Sequence, residues 1–279
     1  MKSLKTPLRY PGGKSRAITK IATHFPDLSK YREYREPFLG GGSVAIYVSK
    51  MYPHLNVWVN DLYKPLINFW KTLQDDGDFL YETLKELKTK NPTPDLAKEL
   101  FLNAKEDIND GTQSDKNRAV AFYIVNKCSF SGLTESSSFS SQASDSNFSM
   151  RGIEKLPGYT KIIADWKITN SSYTDLFTDT RDAFVYLDPP YEIGDALYGK
   201  KGDMHKYFDH QEFAENCDRD TSYQLVSYNS SQLIRDRFKG WNLSEFDHTY
   251  TMRSVGDYMN NQQDRKELLV FNYDHPRIA

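Results

Sequence analysis

"REPFLGGGSVAIYVSKMYPHLNVWVND", residues 35–61, runs three glycines straight into an apolar stretch of helical length and ends a β-branched run on an aspartate. Glycines there permit a tight turn and let a ligand approach the backbone. Asp61 follows Gly42 by 19 residues. An acidic side chain about 20 residues beyond such a turn is where open α/β sheets hold ribose hydroxyls. The plainer use of Asp61 is a helix N-cap or a solvated charge.

Outward from this unit the pattern repeats. Short apolar runs at 57–59, 166–169, 183–187, 223–228 and 267–273 read as buried strands, and 42–52, 64–74, 210–220 and 231–238 read as helices. Alternation of the two predicts an α/β fold, a mostly parallel sheet covered on both faces. Residues 75–163 break the rhythm, with no convincing strand. Leu96, Leu100, Phe101, Ala104 and Ile108 share one helical face, and "RAVAFYIVNKC", 118–128, reads as a buried helix. The serine-rich 129–150 has linker composition, yet Phe130, Phe139 and Phe148 are unusual in a linker, and long loops inside compact domains are usually functional. The expected organisation is a catalytic core, 1–74 and 164–279, with a helical insertion at 75–163.

Composition bounds the function. At 38% hydrophobic and 27% charged residues over 279 positions, the chain is an ordinary globular one. A net charge of −2 gives no global attraction to a polyanion, so nucleic-acid contact must use local basic surface. Lys2, Lys5, Arg9, Lys14, Arg16 and Lys20 form one cluster, and Lys200, Lys201, His205 and Lys206 another. The only cysteines, Cys128 and Cys217, lack metal-ligand spacing and fit a reducing compartment. With no signal-peptide pattern and no apolar run of membrane length, the expectation is a soluble, intracellular protein.

Two motifs carry chemistry. "LRYPGGKSR", 8–16, suggests a phosphate-binding loop, but the position for its first glycine is Leu8 and "MKSLKTP" is no strand. Lys14 still calls for an anionic partner, and a carboxylate serves as well as a phosphate. "FVYLDPPY", 184–191, ends a buried strand on Asp188, Pro189, Pro190 and Tyr191. The prolines make a rigid turn that presents carbonyl acceptors; Asp188 adds a carboxylate and Tyr191 an aromatic face. Such a site suits an exocyclic aromatic amine, whose nitrogen gains nucleophilicity when its protons are held by acceptors.

With "EPFLGGGSV", "VNDLYKPLINFW", "LVSYNSS" and "KELLVFNY" in the same order, the chain resembles the Dam-like, alpha-group DNA adenine-N6 methyltransferases over most of its length. The resemblance implies a Rossmann-like, seven-stranded core and S-adenosylmethionine as cofactor. Tyr10 and Lys14 would embrace its methionine end, Lys14 meeting the carboxylate. Phe38, Gly40 and Gly42 would form the Gly-rich turn, Asp61 hold the ribose and Asp175 approach the adenine. Asp188 to Tyr191 would be catalytic, with Asp188 also near the cofactor. Also implied are a double-stranded DNA partner with a flipped-out target base, no metal, no membrane, a monomeric enzyme in the cytoplasm, and restriction-modification as context.

The match departs in the insertion. Members that methylate GATC carry arginines suited to guanine, whereas "NKCSFSGLTESSSFSSQASDSNFSM" has none; GATC is therefore not expected as the target. Lys127, Ser129, Ser131 and Arg151 are the candidate DNA contacts. Alternatives are a cytosine-N4 enzyme, which typically carries Ser before Pro-Pro-Tyr, RNA or protein amide methylation, which usually carries Asn there, a catalytically inactive DNA-binding relative, and the phosphate-loop hydrolase.

Overall fold

A computed structural model of the protein describes residues 5–130, 137–191, 208–247 and 266–275. Seven strands form one sheet in the order β3-β2-β1-β4-β5-β7-β6. They are β1 (Glu33–Glu36), β2 (Asn56–Asn60), β3 (Lys167–Thr169), β4 (Ala183–Leu187), β5 (Tyr223–Asn229), β6 (Asn242–Asp247) and β7 (Lys266–Phe271). The first five are parallel; β7 runs antiparallel to both β5 and β6. Successive residues of β4 divide between the faces. Phe184 and Tyr186 join one buried cluster, Val185 and Leu187 the other. The strand is covered on both sides, which is why it reads as a continuous apolar run.

Two strands escape the sequence reading, and one of them is central. β1 is "EYRE", yet Tyr34, Arg35 and Glu36 are all buried. Apart from Arg35 Nε, their side-chain polar groups are paired within the fold. Arg35 donates to the Leu176 carbonyl at 2.6 Å, Thr178 at 2.7 Å and Glu33 at 2.7 Å, and Tyr34 donates to Glu36 at 2.7 Å. Such pairing is what permits charge inside a sheet. β6 is an edge strand whose half-exposed residues leave no apolar run to detect.

Helices α1 (Ile18–Ala22) and α2 (Ser43–Met51) precede α3 (Lys64–Asp75), and between α3 and β3 the described chain is helical. It runs through α4 (Gly77–Lys90), α5 (Pro94–Asp107), α6 (Asp115–Cys128) and three short helices, Ser141–Ser146, Met150–Ile153 and Leu156–Ile162. Residues 119–128 of α6 are all buried. Phe122 and Tyr123 pack on Phe69 of α3, with ring centroids 5.7 and 5.8 Å away, so the insertion shares the core beneath the sheet. On α5 the buried face is Ala97, Phe101 and Ala104, continued by Ile108. Leu96, expected on that face, is exposed because at 3.6 residues per turn it stands about 100° round the helix from the face centred on these residues. The described part of the serine-rich stretch is no linker: Ser140 and Ser149 are N-caps of short helices and Phe148 is fully buried.

Candidate active site

The strand order reverses between β1 and β4, which leave in opposite directions from the centre of the sheet. In open α/β sheets ligands bind outside the carboxyl ends of strands at such a point. The turn after β1 needs its glycines. Gly40 and Gly42 have φ of 47° and 67°, conformations unfavourable for other residues. A Cβ on Gly42 would lie 2.8 Å from the Trp70 ring, and one on Gly40 would lie 3.0 Å from Tyr10. Tyr10 thus buttresses the turn from behind.

Asp61, at the carboxyl end of β2, ties two turns together. Its carboxylate accepts from the backbone N–H of Gly40 at 2.9 Å and of Tyr63 at 3.0 Å. Burial pushes it up to about 6, against the pull of those N–H groups. Each oxygen keeps a lone pair for a further donor. Phe38 lies against Tyr173, centroids 5.4 Å apart and nearly parallel. Asp175 is exposed, in the short 3-10 helix Tyr173–Leu176; it is its neighbour Tyr173 that the structure brings to Phe38.

At the end of β4 stands Asp188, its side chain 21% exposed. Lys14, only 2% exposed, places Nζ 2.7 and 2.8 Å from the two carboxylate oxygens and 2.9 Å from the Gly12 carbonyl. Gly12 has φ 70°, and the Gly13 N–H closes a turn on Tyr10 O at 3.1 Å. The two glycines of "PGGKS" therefore serve to turn the lysine inward. Burial opposes its charge, but Asp188 and Glu267 outweigh burial and raise it above the usual lysine range. Burial likewise pushes Asp188 up to about 6, despite Lys14. In the structure the anionic partner of Lys14 is the chain's own Asp188.

Among the described residues around the crevice the acids outnumber the cations. Glu36, fully buried, is held well above the usual carboxylate range by burial, with Asp188 and Asp61 adding to the effect. Glu267, also fully buried, lies 3.5 Å from Lys14 Nζ and accepts from Ser227 at 2.9 Å and from Tyr191. Sequence reading missed Glu267. Its signal was a carboxylate directly before the apolar run at 268–271 of β7. Tyr191 also faces Lys14, 4.9 Å from Nζ to ring centroid.

The insertion meets this site through Arg9. Asn126 of α6 accepts from the Arg9 N–H at 2.9 Å and donates back to its carbonyl, while the Arg9 side chain donates to Ser129 O at 2.9 Å. Lys127 is buried beside them. Burial lowers it to about 7, and Arg9 and Lys155 add to the effect. Ser129 is fully buried and Arg151 exposed. Ser131 and the basic cluster 200–206 lie outside the described residues.

The family model of D12 class N6 adenine-specific DNA methyltransferases matches residues 10–252. The chain belongs to that family. Named relatives of this D12 methyltransferase include the type II methyltransferase M.MjaIII of Methanocaldococcus jannaschii, 27% identical over 202 residues, covering 68% of this chain and 70% of that one. M1.LlaDCHI of Lactococcus lactis subsp. cremoris is 23% identical over 288 residues, 97% and 96% of the two chains. The DNA adenine methylase of Vibrio cholerae is 26% identical over 198 residues, 68% and 66%. Among solved structures, the N-terminal domain of human METTL16 in complex with SAH aligns over 92% of this chain and 68% of its own, at 7% identity and a TM-score of 0.37; the fold assignment rests instead on the sheet order.

Membership makes the reaction methyl transfer to adenine N6 in DNA, with S-adenosylmethionine as cofactor. It displaces the cytosine and phosphate-loop readings. The donor set fits that cofactor. Asp61 retains acceptor capacity for hydroxyls, Phe38 and Tyr173 offer apolar rings, and the acid-rich crevice suits a cation. Among the described residues no helix is long and apolar enough to cross a membrane, and no group of three His, Cys, Asp or Glu is placed to hold a metal.

Proposed function

We propose that the crevice at the carboxyl ends of β1, β2 and β4 holds S-adenosylmethionine against an adenine flipped out of double-stranded DNA, with Asp188 as the catalytic carboxylate. The observation that carries this reading is the position of Asp188. It ends the strand at the switch point and is fixed by Lys14, with Pro189, Pro190 and Tyr191 directly after it.

The cofactor supplies an activated methyl group. Asp61 would hold the ribose hydroxyls, and Phe38 with Tyr173 would offer one apolar surface to the adenine ring. Gly40 and Gly42 shape the turn, and Tyr10 supports it. Asp188 accepts a proton-bearing edge of the target amine and offsets the positive charge that develops on N6. The carbonyls of the Pro-Pro turn are further acceptors. Tyr191 stacks on the flipped base, a contact worth about 1–3 kcal/mol. Excluding water and aligning amine with methyl group supply the remainder. Flipping costs a few kcal/mol, and the insertion, reaching the site through Asn126, Arg9 and Lys127, supplies the DNA contacts that offset it. Both halves of the site lie on one chain, so a monomer suffices, and a DNA substrate is in keeping with a cytoplasmic enzyme.

The test is transfer of labelled methyl groups to DNA. Asp188→Ala should abolish transfer while cofactor affinity stays within a few-fold of the parent. Normal turnover in that variant would remove Asp188 from catalysis, and an inactive parent with bound cofactor and DNA would favour the non-catalytic relative.

A further inference from the structure

Glu267 is a carboxylate of the crevice to which methyl transfer as proposed gives no task. A fully buried carboxylate is costly unless it is paired, and an apolar residue would continue β7 at lower cost. It stands opposite Asn229 of β5 in the antiparallel register. Ser227 and Tyr191 both donate to its Oε1, and Lys14 Nζ lies 3.5 Å from the same atom.

The three hydrogens of Lys14 are already assigned, two to the Asp188 oxygens and one to the Gly12 carbonyl. To accept from the target amine, Asp188 must give up one of its two contacts with Nζ. The hydrogen so released has Glu267 Oε1 within a small movement. The charges point the same way. A Lys14–Asp188 pair alone is neutral and offers little to a nitrogen becoming positive. With Glu267 added, the trio carries one net negative charge.

Resting on the proposed role of Asp188, we propose that Glu267 is a positioning residue of methyl transfer, sharing Lys14 with Asp188 and anchoring the Tyr191 hydroxyl, so that Asp188 is released to the target amine inside a net negative site. The other titratable groups facing Asp188 are Tyr34 and Glu36 from β1, Tyr186 from β4 and Tyr191. Burial holds Tyr34, Tyr186 and Glu36 well above their usual ranges, so Lys14 and Glu267 are the neighbours whose charge Asp188 feels.

Glu267→Gln is the test, because the amide oxygen still accepts from Tyr191 and Ser227 while the charge is gone. The expected result is a fall in kcat on the order of 10- to 100-fold, below the roughly 100- to 1,000-fold seen when a group touching the developing charge is removed, because Glu267 acts through Lys14. KM for DNA and Kd for S-adenosylmethionine should stay within a few-fold. In the protein alone, carboxyl carbon NMR should show Asp188 titrating at lower pH, since a negative neighbour is lost. Parental kcat, or a fall in kcat with the Asp188 titration unmoved, would overturn the proposal; the latter outcome would leave Glu267 a purely structural role. Should the Gln chain fail to fold, Glu267→Asp carries the test: it draws the charge back from Lys14, so kcat falls and Asp188 shifts the same way by less. Unchanged values there would likewise overturn it. Asp188→Ala run alongside separates the two readings. If that variant stays active, the catalytic assignment itself fails; if it is dead while Glu267→Gln is parental, only the role of Glu267 fails.

Discussion

Asp61 and Asp188 are both pushed up to about 6 by burial, and the roles proposed for them require both ionised, one to accept from hydroxyls and the other from an amine. The acid limb of kcat/KM, which reports the free enzyme, is therefore predicted near pH 6 with a slope in log units approaching two. A single-proton limb near 4 would show that the carboxylates are unperturbed. Stability should move the opposite way. A carboxyl raised in the folded state stabilises most below its unfolded value and loses that contribution as pH rises through the folded one. For Asp61 alone, the shift from 3.8 to about 6 corresponds to about 3 kcal/mol at most. The protein without cofactor should thus melt at lower temperature at pH 7 than at pH 5, and saturating cofactor should narrow the gap. Equal melting temperatures at the two pH values would contradict the burial argument.

At the scale of elements, the turn after β1 and the strand β1 itself make distinct predictions. Gly42→Ala places a Cβ against Trp70 in a left-handed conformation, a strain of about 1–3 kcal/mol. Chemical denaturation should show that loss, and calorimetry a weaker cofactor affinity. Arg35→Ala leaves Glu33 and a buried cavity behind and should cost on the order of 3 kcal/mol, whereas an unchanged denaturation midpoint would show β1 indifferent to its pairing. These elements also show what the sequence made legible. β2, β4 and β5 announced themselves because their side chains are apolar on both faces. β1 did not, because it carries its burial on Tyr34, Arg35 and Glu36, whose partners at 176 and 178 are remote in sequence. The places of Asp61 and Asp188 directly after buried strands were readable from spacing. Glu267 was not, since only folding brings β7 beside Lys14, and the partner of Lys14 was likewise set by a contact across 174 residues.

For the whole molecule, the inserted helices and the catalytic centre are joined where Asn126 grips the backbone of Arg9, five residues before Lys14. Asn126→Ala should loosen the segment that delivers Lys14. Methyl transfer should fall several-fold with cofactor affinity retained, and the N-terminal segment should become more sensitive to protease. Unaltered kinetics would mean that the insertion communicates with the site by another route. The central claim is that this chain methylates adenine N6 in DNA at a site of its own choosing, through Asp188. The most direct measurement incubates the protein with unmethylated genomic DNA and S-adenosylmethionine and maps modified bases on single molecules, with Asp188→Ala in parallel. The account predicts N6-methyladenine within one short sequence motif for the parent and none for the variant. Unmodified DNA after incubation with folded, cofactor-bound protein, or equal methylation by Asp188→Ala, would contradict it.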